Sequence, residues 1–110
     1  MKLISRNEKG ALIVSVEGRV DTSTAPELET YLKKTVDPAP KSLIVNLQGV
    51  KYISSAGLRV VLLIAKKLKA SGGELVLAGL DGAVKEVFEI SGFYSIFKIF
   101  DTEEAALAEG

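Results

Sequence analysis

Residues 52–58 read Tyr-Ile-Ser-Ser-Ala-Gly-Leu, which places two hydroxyls and two very small side chains between an apolar run and an amphipathic segment. A hydroxyl at the mouth of a helix has two uses. It can accept a bond from a backbone N–H as an N-cap. It can also carry a phosphate close to N–H groups that lack intrahelical partners, where the helix dipole favours negative charge. Ser54 and Ser55 both suit either use, and Ala56 and Gly57 keep the approach open to a kinase or a binding partner. A second candidate is Asp21, at the end of Gly18-Arg19-Val20-Asp21. Its carboxylate can close a turn before a helix, contact a partner, or orient the serine.

Other chemistries are poorly provided for. The chain has no histidine and no cysteine, so Ser-His-Asp triads, imidazole ligands, thiolate metal sites and disulfides are excluded. No Gly-x-Ser-x-Gly elbow surrounds the serines, and no Gly-x-x-x-x-Gly-Lys loop is present. The carboxylates are too scattered to nominate a metal site, and no cofactor is implied. Fourteen basic residues balance fourteen acidic ones, whereas a nucleic-acid binder normally carries a basic excess. These features predict a binding module rather than an enzyme, with no direct contact to nucleic acid. The longest uncharged apolar stretch, Val60 to Ala65, is far shorter than a bilayer span, and Met1 to Arg6 has no apolar leader region. No membrane insertion is expected, and the cytoplasm is the default location.

The elements that must hold these residues follow from periodicity and punctuation. Leu3–Arg6 and Ala11–Glu17 read as strands flanking a turn at Asn7–Gly10. Thr24-Ala25-Pro26-Glu27 has the form of a capping box, followed by Leu28, Tyr31, Leu32, Thr35 and Val36 on one helical face. Asp37-Pro38-Ala39-Pro40 ends that helix. Ser42–Leu47 reads as a strand buried on both faces. Gln48–Ile53 leads to the serine pair, and a helix is predicted from Leu58 to about Ala70, stopped by Ser71-Gly72-Gly73. Glu74–Gly79 is a strand. Asp81-Gly82 opens a helix carrying Val84, Val87 and Phe88, closed by Ser91-Gly92. Ile96–Phe100 alternates like a last strand, and Asp101–Glu104 can cap a short helix through Ala108. The order ββαβαβαβα predicts one α/β domain over residues 1–110, with a mixed sheet, about four helices and right-handed parallel crossovers.

The serine loop resembles the hallmark loop of STAS-domain anti-sigma-factor antagonists, in which Asp-Ser-(Ser/Thr/Ala)-Gly-Leu follows a strand. The likeness extends along nearly the whole chain. Gly18–Asp21 with Thr24–Leu28, the strand Leu43–Leu47, Ala70–Leu75 and Val84–Gly92 are similar to the family's segments in order and spacing. The resemblance implies that the serine two residues before the motif glycine, here Ser55, is phosphorylated by an anti-sigma factor that is also a serine kinase. It further implies that the unphosphorylated form binds that kinase and frees a sigma factor, and that a serine phosphatase reverses the modification. Many members have Asp where this chain has Ser54, which leaves Ser54 as a second candidate for the phosphate.

On the predicted second helix, Leu58, Val61, Leu62, Ile64, Ala65 and Leu68 fall on the inward face, while Arg59, Leu63, Lys66 and Lys67 fall outward. Arg59, Leu63 and Lys66 are therefore expected to join Asp21 and residues 54–57 in contacting the partner. Two other readings remain at this point. One is a non-switching STAS subunit of a stress-signalling or lipid-transport complex. The other is a nucleotide-binding protein or enzyme using the helix-start loop.

Overall fold

The chain enters as a hairpin, β1 (Lys2–Glu8) against β2 (Ala11–Val20), with Glu8 paired to Ala11 across a two-residue turn. Lys9 and Gly10 both have positive φ, 51° and 80°, as a type I′ turn requires. This is tighter than the four-residue turn expected at Asn7–Gly10 and carries β1 on to Glu8, while β2 starts at Ala11 as expected and runs past Glu17 to Val20. The computed structural model describes residues 1–109. After β2 come α1 (Ala25–Thr35), β3 (Ser42–Ile53), α2 (Ser55–Ala70), β4 (Glu74–Ala78), α3 (Gly82–Ile90), a 3₁₀ turn at Phe93–Ser95, β5 (Ile99–Phe100) and α4 (Glu103–Glu109). The order is the expected one.

The five strands lie in the sheet in chain order, with β1 antiparallel and β2 to β5 parallel. Because the parallel strands advance in one direction, right-handed crossovers put α1, α2 and α3 on one face. Alternation along the strands then sorts the core. Val14, Val45 and Leu77 join Leu28, Leu32, Val61, Ile64, Leu68 and Phe88 under those three helices. Their neighbours Ile13, Ile44 and Val76 pack on the opposite face with Ala106 of α4. The central strands are thus apolar on both sides, as predicted for Ser42–Leu47. Each fully buried Leu or Ile contributes about 1.5–3 kcal/mol of transfer free energy.

Two sequence expectations fail because of how the segments pair and pack. β3 does not stop at Leu47 but runs to Ile53. Its apolar residues Leu47, Val50 and Ile53 are three apart, which hides the strand period of two. Two bulges reconcile them: Ser15 and Glu17 pair with Asn46 and Gly49, and Gly18 and Arg19 pair with Val50 and Tyr52. Each extra residue in β3 turns the next apolar side chain back into the core. At the other end of the chain, the predicted strand Ile96–Phe100 shrinks to Ile99–Phe100. Phe97 instead stacks on Phe93, with centroids 5.4 Å apart, and Phe93 meets Phe88 edge to face at 5.3 Å. The Phe97 N–H donates to the Phe93 carbonyl at 2.9 Å, so the segment turns rather than extends, and Ile96 is left 61% exposed.

Candidate functional site

The parallel register brings the two candidate loops together. Val20 and Ile53 are the last paired residues of β2 and β3, and the Ser54 N–H donates to the Val20 carbonyl at 2.8 Å. The chains leaving these strands, Asp21 and Ser54-Ser55, therefore emerge side by side at one end of the sheet. α2 begins at Ser55, three residues earlier than expected, so Ala56 and Gly57 belong to its first turn and not to an open loop.

Gly57 explains why the helix can start there. It is buried, and a Cβ at this position would lie 2.7 Å from both Ile53 Cγ1 and Val20 Cγ1. Those side chains are β-branched and fully packed, so neither can swing away. Only glycine lets the first turn of α2 settle on the ends of the two strands. Ala56 is half-buried beside it.

The two serines differ in access. Ser54 occupies the N-cap position with extended backbone, φ −97° and ψ 174°, yet its side chain makes no capping bond. Its Oγ is sealed from solvent and has no hydrogen-bond partner among the described residues. Ser55, the first helical residue, is exposed. A hydroxyl there lies beside the first N–H groups of a sixteen-residue helix, which have no intrahelical acceptors.

Asp21 takes the role of a turn carboxylate. Its Oδ1 accepts from the Ser23 hydroxyl at 2.7 Å, the Ser23 N–H at 3.0 Å and the Thr24 N–H at 3.2 Å. The Ser23 hydroxyl, followed by the backbone donors, holds the carboxyl below its ordinary pKa despite an opposing desolvation. Among the described residues Asp21 makes no hydrogen bond to Ser54 or Ser55, so the expected orienting contact is absent. The capping box also fails. The Thr24 hydroxyl accepts from the Asp21 N–H and donates to the Arg19 carbonyl, both at 2.9 Å, leaving Asp21 to hold the start of α1.

Sequence reasoning missed a neighbour of this loop. The Arg19 guanidinium lies over the Tyr52 ring, 4.4 Å from its centroid, and Arg19 Nε is 3.8 Å from Asp21 Oδ2. Arg19 and Tyr52 are register partners only because of the second bulge, so no spacing in the sequence pairs them. From Ser55 a stripe runs down the solvent face of α2 through Arg59, Leu63 and Lys66, about 16 Å in length at 1.5 Å per residue. All four are exposed, as is Lys67, and Leu63 keeps 41% of its surface. The helical wheel omits one core residue, Val60, which is 4% exposed; Leu62 and Ala65, placed inward, are partly buried against the core as expected. α3 adds another apolar residue near its end, Ile90, at 86% exposure.

Comparison with known proteins places this geometry. The family model described as the STAS domain matches residues 2–106. BtrV of Bordetella bronchiseptica, assigned as an anti-sigma factor antagonist, is 48% identical over 108 residues, covering 98% of this chain and 93% of that protein. The anti-sigma-B factor antagonist of Staphylococcus aureus is 31% identical over 91 residues, covering 83% and 84%. Among solved structures, an anti-sigma factor antagonist from Mycobacterium paratuberculosis superposes with a TM-score of 0.91 at 26% identity, covering 98% of this chain and 92% of that one.

Proposed function

The chain belongs to the STAS-domain family, and on that premise we propose that it is an anti-sigma factor antagonist whose binding is switched by phosphorylation of Ser55. In this reading the unphosphorylated protein binds an anti-sigma factor that is also a serine kinase, and a sigma factor is released. A serine phosphatase resets the switch. The observation that carries the reading is the contrast between an exposed Ser55 hydroxyl at the mouth of α2 and a sealed Ser54 hydroxyl beside it. A kinase can reach the first without disturbing the fold, whereas reaching the second requires opening the junction of β3 and α2.

The partner surface would comprise Asp21, residues 54–57 and the stripe Arg59, Leu63 and Lys66. Ser55, Ala56 and Gly57 are themselves small and uncharged, Arg59 follows one turn on, and α2 carries no acidic residue. A phosphate adds between about −1.5 and −2 charges at neutral pH. The free N–H groups of α2 can hold it with little movement of the backbone. A partner that docked against a neutral hydroxyl, and supplies no cation of its own there, would then have to desolvate that charge, which costs several kcal/mol and dissociates a modest complex. The switch is local, and the sheet keeps its shape.

Site-resolved mass spectrometry of the protein from its own cells, before and after stress, tests this. Phosphate on Ser55 that changes with conditions is the expected result. Phosphate confined to Ser54 would refute the access argument, and no phosphate under any condition would refute the switch in favour of a constitutive STAS subunit.

A further inference from the structure

A second feature lies toward the other end of α2. Between the C-terminal half of that helix, the start of β4 and the segment Ser95–Lys98 is a cleft of about 580 Å³. The chain turns at Phe93–Phe97 instead of extending as a strand, and among the described residues nothing covers this corner of the helix-bearing face. The volume is that of a small-molecule site.

The lining is divided in character. Leu62, Leu75, Ile96 and Phe97 supply apolar wall, and Lys66, Lys69 and Lys98 supply ammonium groups. Leu62, Ala65, Lys66 and Lys69 stand at i, i+3, i+4 and i+7, one stripe of α2 that changes from apolar to cationic along its length. Of the three lysines only Lys98 has a carboxylate partner, Glu74 at 3.6 Å; among the described residues Lys66 and Lys69 form no ion pair. The negative end of the helix dipole and the Glu74 carboxylate, which also lines the cleft, oppose an anion here; the first amounts to about half a charge and the second is paired with Lys98, against two further ammonium groups.

We propose that this cleft binds a small amphipathic anion, of which a medium-chain carboxylate is the simplest case. Its head lies between Lys66 and Lys69, and its apolar body covers Leu62, Leu75 and Phe97. The stretch from Leu62 to Lys69 is only about 10 Å long at 1.5 Å per residue, two helical turns, which suits such a ligand better than a docked helix of another protein. The site begins about two turns of α2 beyond Ser55 and needs no phosphate on that residue, though it shares Lys66 with the proposed partner stripe.

Amide NMR titration of the intact protein with decanoate, decanol and decyltrimethylammonium at fixed ionic strength tests it. Decanoate is expected to give saturable shifts at Leu62, Ala65, Leu75 and Phe97 with a Kd below about 1 mM, and the other two to bind at least about tenfold more weakly. The double variant Lys66→Glu/Lys69→Glu and the single variant Ile96→Asp should each weaken decanoate at least about tenfold, while Lys2→Glu should not. Shifts that do not saturate, that map elsewhere, or that are equal for decanol would overturn the proposal. So would undiminished affinity in the double variant. If a variant does not fold, the head-group series on the unaltered protein still decides.

Discussion

Ser54 and Ser55 are adjacent in the chain and opposite in access: the Ser54 Oγ is enclosed without a hydrogen bond at the β3–α2 junction, and Ser55 opens to solvent one residue later. The peptide between them is where extended backbone becomes helix, so the two side chains point in unrelated directions. Several consequences can be measured.

The enclosed hydroxyl gives Ser54→Ala an unusual expected outcome. Replacing a working N-cap serine by alanine costs about 1 kcal/mol. Here no capping bond exists to lose, and an unpartnered buried hydroxyl is removed. The change should leave stability within about 0.5 kcal/mol or raise it slightly. Urea unfolding with an unchanged m-value checks this, and a loss of 1 kcal/mol or more, about the cap's usual worth, would show that Ser54 does cap α2.

Gly57→Ala sets two effects against each other. Alanine is favoured over glycine within a helix by about 1 kcal/mol. The added methyl, however, would stand 2.7 Å from Ile53 and from Val20, and overpacking a rigid core costs about 1–3 kcal/mol. The clash should win, lowering the urea midpoint and perturbing the amides of residues 53–58. A stabilised variant would mean that the first turn of α2 can shift freely.

Leu63→Asp should separate binding from folding. Leu63 is 41% exposed on the outer stripe of α2, so its loss should change stability by no more than about 0.5 kcal/mol. If the stripe is the contact surface, affinity for the anti-sigma factor falls by at least about tenfold, equivalent to about 1.4 kcal/mol. Calorimetry on the purified pair measures both. Unchanged affinity would move the interface away from this stripe.

Acid should destabilise the protein through two carboxylates. Hydrogen bonds hold Asp21 below its ordinary pKa, the Ser23 hydroxyl foremost. Burial acts to raise Glu103, but bonds from Arg6 and from Asn46, the latter at 2.9 Å, outweigh it and bring it down. Each group therefore binds fewer protons folded than unfolded near pH 4, and stability rises with pH through that range. The contribution is complete above about pH 5, clear of the unfolded carboxylate values, and is lost as pH falls through the lowered folded values. Glu103→Gln, which also loosens the tie from α4 to β1 and β3, should flatten the pH dependence of the urea midpoint between about pH 3 and 5. An unaltered slope would remove Glu103 from the acid response.

The element order, the two-sided burial of Ser42–Leu47, the hydroxyl pair at a helix mouth and the outward stripe of α2 were all legible in the residues alone. These rest on local signals: β-branched runs, helical spacing, Gly and Pro punctuation, and a motif within seven residues. The remaining features rest on packing that no spacing encodes, between strands far apart in the chain or among rings at a turn. The bulges in β3 are set by pairing with β2, and they alone bring Tyr52 under Arg19 and Ile53 back into the core. The truncation of β5 is decided by Phe93 capturing Phe97 and not by alternation. The loop motif singles out Ser55 by resemblance, but residue type and position cannot separate the two serines' access, since both are small, polar and placed before a helix. Their difference arises because α2 settles through Gly57 onto Val20 and Ile53, enclosing one hydroxyl in that contact and turning the next one out to solvent.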